Sequence, residues 1–448
     1  MKLLDARGAS RVYVAVCDLQ GQLRGKAVSR AKFETYLRHG VPTPPIFAVT
    51  DFNDAIFAVH AGAAAGRLGD ALAWIDPDSR REIPWEPAHG NLLFLSEMLG
   101  EDAQYDPRAV YRRVEARVAA RGFRPLQSVE YEFSLFNETH DSVHAKEFRG
   151  LTPVTRESGL YGLWRQSARA EFWEELIAGM GRLGIALDAC HWELSPGAVE
   201  VVMACETGLR AADNAAVFKA FAKAYAERKG CLATFMARCS HERPGHSGHV
   251  HVSLQDKRGR YVFHDAGGEH QMSTMFLRFI AGLQVFLPEL VLLLLPNINS
   301  FRRLSESAWS CDPRYCLWGV DNRTVPLRVK RGRPEDLHLE VRIPGADANP
   351  YLALAAVLGA GLLGIENKLA AGAPVSGNVF QSARRYPERF GLPQAYGEAI
   401  DRFSKSKAAR ELFGAEFVRV FAETRRAQER EFRDKVSDWE LRRFLELA

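Results

Sequence analysis

The sequence lacks any close pairing of its cysteines. Its seven cysteines form no CxxC pair and are odd in number, at positions 17, 190, 205, 231, 239, 311 and 316. This spacing excludes the common zinc-ribbon and thioredoxin-type motifs and predicts a reduced, cytoplasmic protein. A basic N-terminal region followed by an apolar run is also missing, so the sequence predicts no secretory signal.

The chain also has little net charge and no long hydrophobic run. Its 59 basic and 55 acidic residues leave a formal charge of +4 over 448 residues, which is too little to predict nucleic-acid or membrane binding. The most apolar segment, 286–298, contains two prolines and a glutamate. It is too short to span a bilayer, and we expect it in the protein core.

The length predicts more than one domain. Short β-branched runs such as Arg11–Asp18, Ala71–Ile75 and Asn91–Leu95 indicate a strand-rich beginning. Asp106 followed by Pro107 is typical of a helix N-cap, and from there strands and helices alternate. We therefore expect an α+β protein with a small N-terminal domain over 1–105 and a large second domain over 106–448.

Local patterns within the second domain give more detailed predictions. They indicate a strand over 127–136, a helix over 166–183 and a strand over 234–237. Asp347–Asn349 before Pro350 predicts the cap of an apolar helix that runs to about Leu369.

Paired ionisable residues recur on the predicted strands. In the strand 129–136, alternation places Glu130 and Glu132 on one face and apolar rings on the other. The same spacing of two recurs at His191/Glu193, His249/His251 and Glu340/Arg342, and Glu200 begins a further apolar strand. Any one pair is more often structural, but four strands that share the pattern indicate a site.

The residue types narrow the chemistry of that site. Carboxylates with one or two imidazoles and no thiolate favour Mg²⁺ or Mn²⁺ over structural zinc. Four arginines, Arg303, Arg323, Arg328 and Arg342, suit carboxylate and phosphate groups, which guanidinium binds in a bidentate manner. Together these features point to phosphoryl transfer from a nucleotide.

Ten segments, taken in order, resemble the glutamine synthetase superfamily over nearly the whole chain. They are DLQGQLRGKAV (18–28), GDALAWIDPDSRREIPWEP (69–87), YDPRAV (105–110), VEYEFSLF (129–136), HWELSPGAVEV (191–201), GHSGHVHVSL (245–254), NSFRRL (299–304), WGVDNRTVPLRV (318–329), LEVRIPGADANPYLALAAVLGAG (339–361) and SDWELRRFLE (437–446). The PWEP turn, the WGVDNR segment and the SDWE tail are most similar to its γ-glutamylpolyamine synthetase branch.

The resemblance implies a fold, a ligand set and a reaction. It implies a small β-grasp-like domain before a catalytic domain that has a curved antiparallel sheet surrounded by helices. One metal would be held by Glu132, Glu193 and Glu200, and a second by Glu130, His249 and Glu340. Two to three Mg²⁺ or Mn²⁺ ions and ATP would serve each site.

The same resemblance implies roles for the other polar residues. Nucleotide binding would involve Asp188, His191, His251, Ser253 and Arg328. Substrate binding would involve Gly245, Arg303, Trp309 and Arg342, and Arg303, Arg323 and Arg328 would assist catalysis.

The chain departs from the family where ammonium is bound. The N-terminal DGSS segment of glutamine synthetase is replaced by VTDFNDAIF, in which Asp51 or Asp54 would substitute. In the flap region Trp309 lies near the usual glutamate position, and Glu306 is the only acid nearby. An indole in place of a cationic cage predicts a roomier, more apolar pocket that suits an organic amine.

The leading prediction is an ATP-dependent ligase that joins L-glutamate to a primary amine or polyamine through γ-glutamyl phosphate. Glutamine synthetase proper, which uses ammonia, is the alternative, and a catalytically silent structural or regulatory homologue is a third reading. The resemblance also implies a homo-oligomer, a dodecamer with sites between subunits. The segment 370–381 shows no counterpart of the family's adenylylated tyrosine loop.

Overall fold

A six-stranded sheet forms the N-terminal part of the chain. This computed structural model describes residues 11–57, 59, 69–86, 91–304, 311, 314–381 and 386–448. The first sheet contains β1 (Arg11–Cys17), β2 (Leu23–Ser29), β3 (Val41–Thr43), β4 (Ala71–Ile75), β5 (Arg81–Glu82) and β6 (Leu92–Met98). Its order is β2-β1-β6-β4-β3, with β5 on β6, and only β1 and β6 run parallel.

A nine-stranded sheet forms the second part. Its strands are β7 (Phe123–Phe136), β8 (Leu187–Trp192), β9 (Ala198–Met203), β10 (Glu206–Thr207), β11 (Leu232–Thr234), β12 (Gly248–Asp256), β13 (Trp318–Val320), β14 (Leu327–Lys330) and β15 (His338–Val341). The order is β13-β14-β15-β12-β7-β9-β8, and β10 and β11 also pair with β7. The expected antiparallel sheet is confirmed: all pairs are antiparallel except the edge pair of β13 with β14, which runs parallel.

Helices cover these sheets. In chain order they are α1 (Arg30–His39), α2 (Pro107–Ala120), α3 (His140–Ala145), α4 (Leu163–Ala168), α5 (Ala170–Arg182), α6 (Leu209–Arg228), α7 (Thr274–Leu290), α8 (Ile298–Phe301), α9 (Pro350–Glu366), α10 (Tyr396–Lys405), α11 (Lys407–Phe413), α12 (Ala415–Arg433) and α13 (Asp438–Phe444). The predicted caps are confirmed: Asp106 accepts from the backbone of Arg108, and Asn349 accepts from the backbone of Tyr351.

Some predicted boundaries were wrong. Helix α9 ends at Glu366, not at Leu369, because Lys368 adopts a left-handed φ of 49°. The helix expected over 166–183 is two helices that meet at Arg169. Strand β11 ends at Thr234, since the carbonyls of Met236 and Ala237 accept from His246 and not from the sheet.

Two apolar helices fill the core behind the large sheet. Helix α9 is buried over nearly its whole length and lies against α7. The segment Thr274–Leu293, with a hydropathy of 1.8, is long and apolar enough to cross a membrane by those criteria, yet it is 72% buried inside the protein. The core position expected for segment 286–298 is confirmed, because its leucines are almost inaccessible.

A buried ion network joins the two parts. Arg108 of α2, which is 1% exposed, donates to Asp213 of α6, to Glu97 of β6 and to Asp76, which follows β4. Tyr351 donates to the same Asp213 at 2.7 Å. The division of the chain into two domains at residue 105 stays a prediction, while the sequence changes from one sheet to the other between β6 and β7.

Candidate active site

Strand register brings the polar pairs of the sequence onto one face of the large sheet. Glu130 of β7 lies opposite His249 of β12, and Glu132 lies opposite Glu200 of β9. Further out, Glu200 faces His191 of β8, while Glu340 of β15 faces both His251 and Arg328. The buried rings of Tyr131 and Phe133 point to the other face, as alternation predicts.

Glu130, His249 and Glu340 form a first compact cluster, called here the Glu340 group. Their ligand atoms lie within 4.8 Å of one another. The Nδ1 atom of His249 is 2.8 Å from Glu130 Oε1 and 3.5 Å from Glu340 Oε1. This is the triad that the resemblance implied for one of the two metals.

The Glu340 group is rich in positive neighbours. Burial opposes ionisation of Glu340, but Arg342 and the nearby histidines lower its pKa to about 2. Arg342 and Arg328 both bind the Glu340 carboxylate, the latter at 2.9 Å. Burial also opposes ionisation of Glu130, but hydrogen bonds from His249 and His251 hold its pKa well below the usual range. Both carboxylates are therefore ionised.

His191, Glu193 and Glu200 form a second cluster, called here the Glu200 group, whose ligand atoms also lie within 4.8 Å. The Nε2 atom of His191 is 2.9 Å from Glu200 Oε1. The expected ligands Glu193 and Glu200 lie together in this group, with His191 beside them. Glu132 accepts a hydrogen bond of 2.8 Å from the backbone of Ser247 and borders the same cleft as Glu193, and its place as the third ligand stays a prediction.

In the Glu200 group, nearby positive charge does not balance the negative charge of the carboxylates. Burial is the largest cause that raises the pKa of Glu193 to about 7, and the carboxylates of Glu132 and Glu200 add to it. Burial likewise raises the pKa of Glu200, although His191 acts against this shift. Carboxylates crowded in this way favour a bound cation.

A cavity of about 90 Å³ lies between the two groups. It is bordered by Glu132, Gly245, Arg303 and Arg342, which brings together three of the residues expected at the acid substrate. Gly245 is required there, because an added Cβ would lie 2.4 Å from Arg303 Cγ and 2.5 Å from the carbonyl of Ala237. Arg303 donates to the carbonyl of Ile343 at 2.8 Å, which fixes its position.

The residues expected at the nucleotide are only partly gathered. His251 lies 3.3 Å from Glu130 and 3.0 Å from a ring nitrogen of His338. Ser253 follows on the same face of β12 and is buried. Asp188, by contrast, is exposed beside a bulge of β8 and belongs to neither group.

The expected amine residues do not reach the cleft of their own chain. Asp54 pairs with Arg24 at 2.6 Å, and Asp51 accepts from the backbone of Asn53 and Ala55 in its own turn. Asp51 borders a different cavity, which Lys219 and Phe235 also line. Glu306 and Trp309 lie outside the described residues.

The structure adds Tyr161 to the site. Its ring lies 4.3 Å from the ring of His191, and its backbone adopts a left-handed φ of 52°. Burial and the carboxylates of Glu200 and Glu193 raise the pKa of its phenol. Leu163 and Trp164 follow it and are 82% and 71% exposed. Arg323 occupies an exposed turn, and its charge also acts on Tyr161.

Tyr161 was missed because it lies in a turn with no periodic pattern. The spacing of two between His191 and Glu193 predicted that both side chains lie on one face, and this spacing indicated a shared ligand group.

Both clusters fit a divalent metal ion. Each offers two carboxylates and one imidazole from adjacent strands and has no thiolate, a donor set that suits Mg²⁺ or Mn²⁺. The excess of negative charge around Glu193 agrees with this assignment.

Residues 104–444 match the family model described as glutamine synthetase, catalytic domain. The chain is 35% identical to type-1 glutamine synthetase 2 of Dictyostelium discoideum, over 97% of this chain and 84% of that protein. It is 34% identical to a glutamate–isopropylamine ligase of a Pseudomonas species, over 82% and 79%.

A solved structure described as GmaS without ligand has a TM-score of 0.85 with this chain. The two are 25% identical, and the match covers 99% of this chain and 98% of the other. The likeness therefore extends over both sheets.

Proposed function

Because the chain belongs to the glutamine synthetase family and is an ATP-dependent ligase, we propose that it joins the γ-carboxylate of L-glutamate to a small primary amine. The observation that carries this proposal is the contrast within one cleft. Two clusters suited to metal ions and the side chains of Arg303 and Arg342 lie at this cleft, whereas Asp51 and Asp54, the acids expected at the amine, have partners elsewhere within the described part of the same chain.

The apolar residues beside the Glu200 group support an organic amine. The ring of Tyr161, which is 57% exposed, lies 4.3 Å from that of His191, and the exposed Leu163 and Trp164 follow Tyr161 in the chain. Exposed apolar side chains at a cleft favour a substrate with a hydrocarbon part. The relative that is named for isopropylamine agrees with this proposal.

In the proposed reaction, ATP first phosphorylates the γ-carboxylate of glutamate. Arg303 and Arg342, beside the 90 Å³ cavity, would hold the carboxylates of glutamate. Arg328 and Arg323 would neutralise charge on the transferring phosphoryl group. Divalent ions held by the Glu340 and Glu200 groups would supply further positive charge there.

The amine would then attack the acyl carbon and release phosphate. A protonated amine has no lone pair, so a carboxylate beside it must first accept a proton. Asp51 and Asp54 are turned away from the cleft of their own chain. We therefore propose that a second copy supplies the acid, as in an assembly with sites between subunits.

Phosphate release from ATP tests this proposal. The assay would contain L-glutamate, Mg²⁺ or Mn²⁺, and in separate reactions ammonium, methylamine, ethylamine, isopropylamine, ethanolamine or putrescine. We expect at least one organic amine to be used with a higher kcat/KM than ammonium. Activity with ammonium alone would favour glutamine synthetase proper, and inactivity with every amine would favour a silent homologue.

A further inference from the structure

The segment 245–247, which precedes β12, forms one wall of the small cavity of the cleft. Arg303 and Arg342 border the same cavity. The segment contains His246, which is only 5% exposed and has no part in the proposed reaction. A buried imidazole needs a partner for each of its two ring nitrogens, because both are polar. The partners of His246 therefore show what this ring does in the structure.

Both ring nitrogens of His246 have a partner on a different part of the chain. Nδ1 lies 2.8 Å from the carbonyl of Met236, and because a carbonyl only accepts, Nδ1 carries the proton. Burial lowers the pKa of His246, so the ring is neutral and Nε2 is an acceptor. The hydroxyl of Ser134 on β7, 2.8 Å away, therefore donates to Nε2. The ring thus connects the chain after β11 with β7.

The backbone of the same segment is also bound to β7 and to the chain after β15. The backbone of Ser247 donates to Glu132 Oε2 at 2.8 Å and accepts from the N–H of Glu132 at 2.9 Å. The carbonyl of His246 accepts from the N–H of Ala346 at 3.1 Å. Ser134 lies two residues after Glu132 on β7. Ring and backbone together therefore hold the segment against this strand.

The position of the segment determines the space beside Arg303. Gly245 packs so closely that an added Cβ would lie 2.4 Å from Arg303 Cγ. A shift of the segment therefore either displaces Arg303 or widens the cavity next to it. The same shift would break the bond from Ser247 to Glu132, which also borders the cavity.

We propose that His246 is a positioning residue for the acid substrate. Its bond to Ser134 holds the segment 245–247 against β7, and this contact sets the width of the cavity beside Arg303. Loss of the bond weakens the binding of glutamate. The inference rests on the glutamate role proposed for this cavity.

The effect should be confined to the acid substrate. His251 and Ser253, which are expected at the nucleotide, lie further along β12. Both pair with β7 through the strand register, so the sheet and not His246 holds them. A general loss of stability would instead weaken the use of both substrates alike.

Two variants remove the bond from either side. Ser134→Ala deletes the hydroxyl. His246→Asn keeps an N–H near the position of Nδ1 and has nothing in place of Nε2. His241→Asn is the matched control, since the side chain of His241 is 92% exposed.

Hydrogen exchange of the ligand-free protein tests the positioning. Mass spectrometry of peptides that contain Ser247 would report the exchange of its amide, which is bound to Glu132. We expect exchange at least about fivefold faster in Ser134→Ala and His246→Asn, because the segment opens more often. The control should exchange like wild type. Unchanged exchange in both variants would overturn the inference.

Initial rates of phosphate release, with glutamate and ATP varied in turn, test the effect on the substrate. We expect the KM for glutamate to rise about fivefold in Ser134→Ala and in His246→Asn, the size of one net hydrogen bond, with the KM for ATP changed less than about twofold. The double variant should show no larger rise, because both changes remove the same bond. Parallel rises in both KM values, additive rises or an unchanged KM for glutamate would overturn the inference.

The two measurements separate this inference from the proposed function. If the wild-type protein releases no phosphate with glutamate and any amine, the proposed function fails, and the exchange rates decide whether His246 holds the segment. If glutamate is a substrate and its KM does not respond to the variants, only the positioning role fails.

Discussion

The metal-ligand end and the amine end of the cleft are built from different kinds of backbone. Glu130, Glu200, His249 and Glu340 lie on hydrogen-bonded strands that fix their spacing by register. Tyr161 lies in a turn between strands and helices. The charges that must lie within a few ångströms of one another are held by the sheet, whereas Tyr161, which we propose lies beside the amine, is held by a loop.

The largest expected effect comes from the strand-built end. Glu130→Gln keeps the side-chain shape but removes a charge from the Glu340 group. We expect kcat/KM to fall at least about 10³-fold with every amine, because charge stabilisation at the phosphoryl group is lost. The measurement is phosphate release together with Mn²⁺ binding. Glu171→Gln, on the exposed side of α5, is the control and should retain activity.

The buried ion network that joins the two parts of the chain should contribute strongly to stability. Arg108→Met leaves Asp213, Asp76 and Glu97 without their shared partner. We expect the free energy of unfolding in urea to fall by about 3–5 kcal/mol. Arg112→Met is a matched control, since the Arg112 side chain is 46% exposed and pairs with the same Asp76 and Glu97. Its cost should stay below about 1 kcal/mol, and equal costs would contradict the account.

The loop-built end should change amine use and little else. Tyr161→Ala removes the ring that lies 4.3 Å from His191. We expect the KM for the amine to rise about tenfold, with the KM for ATP nearly unchanged, as read from phosphate release. A parallel rise in both KM values would show that Tyr161 supports the strand-built end instead.

The smallest effect concerns Lys219, a buried lysine outside the cleft whose Nζ atom donates to the carbonyl of Ala348. Its folded pKa of about 7 lies below its unfolded value, so the unfolded chain binds more protons between pH 7 and about 10.5. The destabilisation is full below pH 7 and is lost as the pH rises towards 10.5. Lys219→Met should therefore raise the free energy of unfolding by about 1 kcal/mol at pH 7, after loss of the bond to Ala348. This advantage over wild type should shrink as the pH rises and reverse near pH 10.5, where only the lost bond to Ala348 remains.

The strand-built end could be predicted well from the sequence. Alternation alone assigned Glu130, Glu132, His249 and His251 to faces, because side chains on a strand have a period of two. Alternation also indicated that His191 and Glu193 lie on the same face of their strand. Alternation does not show which carboxylates lie close together, because that depends on the register between strands that are far apart in the sequence. The resemblance placed Glu132 with Glu193 and Glu200; the structure adds His191 to that group, and the role of Glu132 as a ligand stays a prediction.

The loop-built end could not be predicted in the same way. Asp51 and Asp54 were chosen by their position relative to a missing motif, and each has a local partner instead. Tyr161 depends on a left-handed backbone in a turn, which no periodicity reveals. The burial of helices α7 and α9 is easier to predict than either end of the cleft, because a sequence that is apolar on all sides of a helix indicates burial directly.

The most direct test of the contrast between the two ends is a competition in one reaction. The protein would be given ATP, L-glutamate and equal concentrations of ammonium and isopropylamine, and the two γ-glutamyl products would be quantified by mass spectrometry. The account predicts that the γ-glutamyl isopropylamide exceeds glutamine by at least about tenfold, the effect of one or two well-placed apolar contacts. A product mixture dominated by glutamine would contradict it.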